Sequence, residues 1–107
     1  MWNKINKEAE LLYNNCIKKG VFITTAESCT GGLIASSIVS ISGSSNIFKS
    51  SLITYSNEMK TKLLNIDSKI IEINGAVSEI VATQMAENVL DILDADVSIA
   101  VTGIAGP

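Results

Sequence analysis

Val21-Phe22-Ile23-Thr24-Thr25 runs through Ala26-Glu27-Ser28-Cys29-Thr30-Gly31-Gly32 into Leu33-Ile34-Ala35, and the fold turns on this stretch. Its first five residues are apolar or β-branched, which predicts a short strand buried inside a sheet. Glu27 to Gly32 is a turn by composition, and an apolar helix is expected from Leu33 to about Ile41. Strand, glycine turn and helix in that order form the unit from which an α/β protein builds a ligand site.

The surrounding segments repeat the alternation. Upstream, Ile5, Ala9, Leu12, Cys16 and Ile17 fall near helical spacing, and Gly20 follows where a helix end favours a left-handed residue. Downstream, Ser42-Gly43-Ser44-Ser45-Asn46 is a loop, and Ser50 to Tyr55 predicts a second strand with a short helix after Ser56. Ser68 to Ile73 fits either a helical turn or a short strand. Asn74-Gly75 ends it, and Ser78 with Glu79 marks the start of a helix running to Leu93, expected to bury Ile80, Val81, Met85, Val89 and Leu93 or their neighbours. Val97 to Val101 is a third strand, followed by the turn Thr102-Gly103-Ile104-Ala105-Gly106-Pro107. Strands separated by helices predict a three-layer α/β/α sandwich around a mostly parallel or mixed sheet, with ligands beyond the carboxyl ends of the strands. Residues 1–107 are read as one domain.

Composition narrows the function. With 47% apolar residues the chain can fill a core, and a net charge of -3 with scattered basic residues argues against nucleic-acid binding. No apolar run approaches bilayer-spanning length, and the two cysteines, Cys16 and Cys29, form no C-x-x-C pair or disulfide framework. A cytoplasmic protein with reduced thiols, off the membrane, is expected. Histidine is absent, so any hydrolytic site in this chain finds its base among lysine, tyrosine, carboxylates or water.

Four places offer chemistry. Ser28, between a strand and a helix and beside Gly31 and Gly32, presents a hydroxyl and backbone N–H groups to one cleft; Ser28 or Thr30 equally serves as a helix cap. Glu27 either orients a site group or answers the helix dipole. Tyr55 at a strand end and Lys60 one helical turn later suit proton transfer, although Glu58, Lys60 and Lys62 also fit a solvated helix face. Thr102, Gly103 and Gly106 again place a hydroxyl and glycine amides after a strand. Cys29 has no histidine partner and is read as a packed thiol.

Taken in order, Ala26-Glu27-Ser28-Cys29-Thr30-Gly31-Gly32, Gly43-Ser44-Ser45, Thr54-Tyr55-Ser56-Asn57-Glu58 with Lys60, Gly75-Ala76-Val77-Ser78-Glu79 and Thr102-Gly103-Ile104-Ala105-Gly106-Pro107 resemble the CinA C-terminal domain family, from about residue 8 to the end. The resemblance implies a metal-free, cofactor-free hydrolysis of nicotinamide mononucleotide to nicotinate mononucleotide and ammonia. It puts Ser28, Ser45, Tyr55 and Lys60 in catalytic positions, with Glu27, Thr30, Gly31, Gly32, Thr102, Gly103 and Gly106 around the substrate. It leaves open which serine is the nucleophile.

Family domains continue past the point matched by Pro107, through a Lys-Pro-Val-Gly-type segment and helices that supply an arginine near the phosphate. The resemblance therefore implies a sheet truncated on its C-terminal side, with an exposed edge that favours association as a homodimer. The alternative it leaves is a catalytically incompetent nucleotide-binding or regulatory module.

Overall fold

The computed structural model describes residues 2–104. Eighteen residues form α1 (Trp2–Lys19), whose end carries Lys18 and Lys19 against the negative pole of the helix dipole. There follow β1 (Ile23–Glu27), α2 (Leu33–Val39), a 3-10 turn (Ser44–Asn46), β2 (Leu52–Ile53), α3 (Asn57–Leu64), α4 (Ser68–Asn74), α5 (Glu79–Leu93) and β3 (Val97–Val101).

The three strands are parallel in the order β2-β1-β3. Ile23 pairs with Val97 and Glu27 with Val101 along β3, while Ala26 and Glu27 pair with Leu52 and Ile53 of β2. Every residue of central β1 is buried, although its sequence is Ile-Thr-Thr-Ala-Glu. That much polarity is tolerated because each side chain finds a partner. The Thr24 hydroxyl donates to the Ser50 carbonyl at 2.6 Å and that of Thr25 to the Glu27 carboxylate at 2.9 Å.

Alternation along the strands divides the core into two. On one face Ile23 joins Cys16 of α1, Ile38 of α2 and Ile47, with Leu12, Ile34 and Ile99 packed against them. On the other, Ala26 meets Leu64 of α3, Ile71 of α4 and Val81, Met85 and Val89 of α5. This is the expected three-layer sandwich: α1 and α2, sheet, then α3, α4 and α5. Val81, Met85 and Val89 recur at i, i+4 and i+8 and are fully enclosed, each stabilising the fold by about 1.5–3 kcal/mol.

Several local expectations shift. β1 begins at Ile23, two residues later than Val21, because Val21 closes the end of α1 by donating its N–H to the Cys16 carbonyl at 3.0 Å. β2 has two residues where six were expected. Ser68–Asn74 is a helix, capped by the Asp67 side chain on Lys69 N–H. Ile17 and Ile80 are 46% and 43% exposed, since their neighbours Cys16 and Val81 take the buried positions.

Candidate active site

Ser28 and Lys60 meet at the carboxyl end of β1. The junction between β1 and α2 depends on period-two geometry: Glu27 projects to the α2 side of the sheet, and Ser28, one step on, to the α3 side. Ser28 is buried, and its N–H donates to the Val101 carbonyl at 3.0 Å, tying it to the end of β3. Opposite, α3 is started by the Ser56 hydroxyl accepting from Met59 N–H, which fixes the helix phase so that Lys60 and Leu64 both face inward.

The Lys60 side chain is 1% exposed. Its Nζ donates to Ser28 Oγ at 3.0 Å, to the Thr54 carbonyl at 3.1 Å and to the Tyr55 carbonyl at 3.4 Å. Burial pushes its ammonium below the ordinary lysine range; nearby Cys29 opposes this without reversing it. The two carbonyls only accept. The Ser28 hydroxyl itself donates to the Tyr55 carbonyl at 3.4 Å; once Lys60 is a neutral amine, its two hydrogens go to the carbonyls and its lone pair can take the Ser28 hydroxyl instead. The geometry thus suits a lysine that removes the serine proton.

Glu27 accounts for the turn that follows. Its carboxylate is wholly buried and accepts four hydrogen bonds. Oε1 takes the Thr30 hydroxyl at 2.7 Å and Ile34 N–H at 2.9 Å, while Oε2 takes the Thr25 hydroxyl at 2.9 Å and Ala35 N–H at 2.8 Å. Burial alone would raise its pKa, but the bonds from Thr30, Ile34, Ala35 and Thr25 outweigh that and hold the carboxyl below the usual range. Neither Ser28 nor Thr30 caps α2. The residue before that helix is Gly32, whose position offers no side-chain cap, and Glu27 fills the role from the strand.

The remaining candidates separate. Tyr55 is 66% exposed; what that residue brings to Lys60 is its main-chain carbonyl. Ser45 is not brought to Ser28. It lies in the 3-10 turn just before Ile47, whose carbonyl accepts from Ile23 N–H at 2.8 Å at the opposite, amino end of β1. Five residues at about 3.3 Å each separate the two ends, about 16 Å. The buried Glu27 carboxylate accepts from the Thr30 hydroxyl and makes its bonds inside the protein instead of to a substrate, while half-buried Thr30 keeps its acceptor lone pairs.

Gly31 and Gly32 both have positive φ and shape the turn beside Ser28. Thr102 follows Val101 at the same sheet end, where its hydroxyl donates to the Ala76 carbonyl at 2.9 Å. A Cβ on Gly103 would come within 3.0 Å of Cys29 Sγ, so this glycine lets the third strand end pass close to the Ser28 turn. Gly106 lies outside the described residues. The Thr54 carbonyl and Thr25 hydroxyl went unnoticed in the sequence; only the shared parity of Thr25 and Glu27 along one strand pointed to the latter.

A parallel three-layer α/β protein with a buried lysine–serine pair at its strand ends is the class that fold and site define. Residues 5–107 match the CinA C-terminal domain, and the chain belongs to that family. It is 53% identical over 97 residues to a CinA-like protein of Prochlorococcus marinus (strain MIT 9312), covering 91% of this chain and 23% of the relative. A CinA-like protein of Petrotoga mobilis is 46% identical over 96 residues, 90% of this chain and 24% of that protein. The chain thus spans about a quarter of the length of these curated relatives. Among solved structures, a competence-damaged protein (CinA) superfamily protein from Escherichia coli superposes with a TM-score of 0.93 at 37% identity, covering 96% of this chain and 60% of that one. The competence/damage inducible protein of Agrobacterium tumefaciens gives 0.89 at 38%, covering 96% and 62%. Among the described residues no helix is long and apolar enough to cross a membrane.

Proposed function

We propose that this chain hydrolyses the carboxamide of nicotinamide mononucleotide, giving nicotinate mononucleotide and ammonia. The observation that carries the reading is the 3.0 Å contact between Lys60 Nζ and Ser28 Oγ, with two carbonyls occupying the other amine hydrogens. Its choice of substrate rests on the family resemblance.

In the scheme, Ser28 Oγ attacks the carboxamide carbon as its proton passes to Lys60 Nζ. Amide N–H groups of the glycine turns hold the oxyanion. Collapse breaks the C–N bond, and the Lys60 proton leaves on ammonia. A water, deprotonated by Lys60, then splits the acyl ester, releasing the carboxylate and restoring the Ser28 hydroxyl. Ser28 is preferred over Ser45 as nucleophile because only Ser28 has the lysine beside it.

The test is ammonia release and nicotinate mononucleotide formation by the 107-residue chain. Lys60→Met and Ser28→Ala should each lower turnover by about 100-fold or more. Unchanged turnover in Lys60→Met would sink the scheme. Folded protein that the nucleotide stabilises against heat but does not hydrolyse would replace hydrolysis with binding alone.

A further inference from the structure

Both members of the Ser28–Lys60 pair are held through one residue. The Glu27 side chain fixes the turn after Ser28 by accepting from the Thr30 hydroxyl and from the first turn of α2, while Gly31 N–H closes back on the Ser28 carbonyl at 3.1 Å. The Glu27 main-chain carbonyl accepts from Thr54 N–H at 2.8 Å, and the carbonyl of Thr54 in turn accepts from Lys60 Nζ. We infer that Glu27 is a positioning residue: its ionised carboxylate, seated on two α2 backbone N–H groups and two threonine hydroxyls, holds Ser28 at hydrogen-bonding distance from Lys60. This rests on the reading of that pair as the reacting one.

The carboxylate is fully enclosed and has four protein donors, so substrate is not its partner. Its ionisation is required by an argument that glutamine makes plain. Hydroxyls can rotate and accept instead of donate, but a backbone N–H cannot. Because Oε1 faces Ile34 N–H and Oε2 faces Ala35 N–H, the amide nitrogen of Glu27→Gln would oppose an N–H group in either flip. The neutral isostere must turn away or push α2 off the strand end, and Ser28 moves with the turn.

The experiment follows Ser28 itself, using phenylmethanesulfonyl fluoride and mass spectrometry. Ser28 Oγ forms a bond to sulfur, fluoride departs, and the hydroxyl proton goes to Lys60. Wild type should label at Ser28, with Lys60→Met and Glu27→Gln each slower by about tenfold or more below their melting temperatures. In the double variant the losses should not multiply, because Glu27 acts through the lysine–serine contact. Labelling of Glu27→Gln within about twofold of wild type, or fully multiplicative losses, would overturn the inference.

Thr30→Val removes one bond to the carboxylate without opposing an N–H, and decides the matter if Glu27→Gln does not fold. It should slow labelling by about three- to tenfold on the wild-type background and not at all on Lys60→Met, and an unchanged wild-type rate would reject the role. The two readings fail separately. Lysine-dependent, Glu27-dependent labelling without ammonia from nicotinamide mononucleotide rejects the substrate and keeps Glu27, whereas full turnover by Glu27→Gln does the reverse. Wild type labelling no faster than Lys60→Met rejects both.

Discussion

Lys60 and Glu27 are buried groups of opposite charge whose pKa values both fall, for different reasons. For Lys60 the cause is desolvation, which favours the neutral amine; for Glu27 it is hydrogen bonding, which overcomes desolvation and favours the anion. The consequences separate along the pH axis. Turnover should fall as pH drops through the depressed Lys60 value, with the protein still folded, and the Lys60→Met variant should lose this limb. An unfolded lysine keeps its proton to about pH 10.4, so the unfolded chain binds more protons across the window below that and the fold gains stability as pH rises. The Glu27 contribution is complete above the unfolded carboxylate value of about 4.3 and is lost as pH falls through the lower folded one. Parallel pH profiles of turnover and of urea unfolding check this; activity and fold lost together in acid would contradict the assignment of the activity limb to Lys60. The sequence held part of this site openly. Glu58, Lys60 and Lys62 look like one solvated stripe only until helical phase is applied: positions two apart point about 200° apart, and Lys60 shares its face with Leu64 instead. Glu27 reads as a turn residue only if β1 ends early, whereas its parity with Thr25 puts it on the strand. Nothing local separates the Tyr55 carbonyl, which reaches Lys60, from its ring, which does not.

Between β1 and α2 the decisive element is a turn held from within the strand instead of by a cap. Gly32 sits at φ +99°, and a Cβ there would lie 2.8 Å from Ile53 Cδ1 on β2. Gly32→Ala therefore costs about 1–2 kcal/mol for a left-handed alanine, whereas Ile53 Cδ1 is the far end of an exposed side chain that can swing aside at little cost. Only that contact depends on Ile53; the backbone penalty does not. Adding Ile53→Val removes the Cδ1 methyl, and the double variant should recover no more than about 0.5 kcal/mol in urea unfolding, leaving the backbone cost in place. Recovery of more than about 1 kcal/mol would show that Ile53 does not move aside and that overpacking adds to the backbone cost. The helices were the legible elements, since α1 and α5 carry 3.6-residue periodicity over 18 and 15 residues. The strands were less so: β2 exists through pairing of Leu52 and Ile53 with Ala26 and Glu27, contacts that no local pattern announces.

At the scale of the whole molecule, the sheet is unevenly protected. β1 is paired along its whole length by β3 but on its other side only at Ala26 and Glu27 by β2 and at Ile23 by a single bridge to Phe48, and β3 leaves a five-residue outer edge unpaired among the described residues. Val97 on that strand is 40% exposed, and Ile92, Val77 and Ile104 on the flanking segments are 39%, 54% and 83% exposed. Solved relatives superpose on nearly all of this chain yet extend beyond it, since it covers 60% and 62% of two of them. A free parallel edge bordered by apolar side chains pairs readily with another strand, and a net charge of -3 gives little repulsion to prevent it. The chain should therefore associate as concentration rises, with an increasing sedimentation coefficient. Val97→Lys places a charge on the edge, the device by which natural sheets resist pairing, and should lower association while changing monomer stability by no more than about 0.5 kcal/mol. If wild type sediments as a monomer at every concentration, the β3 edge needs no partner. If Val97→Lys associates as strongly as wild type, the contact lies elsewhere, and the exposed apolar residues beyond β3 become the surface to vary.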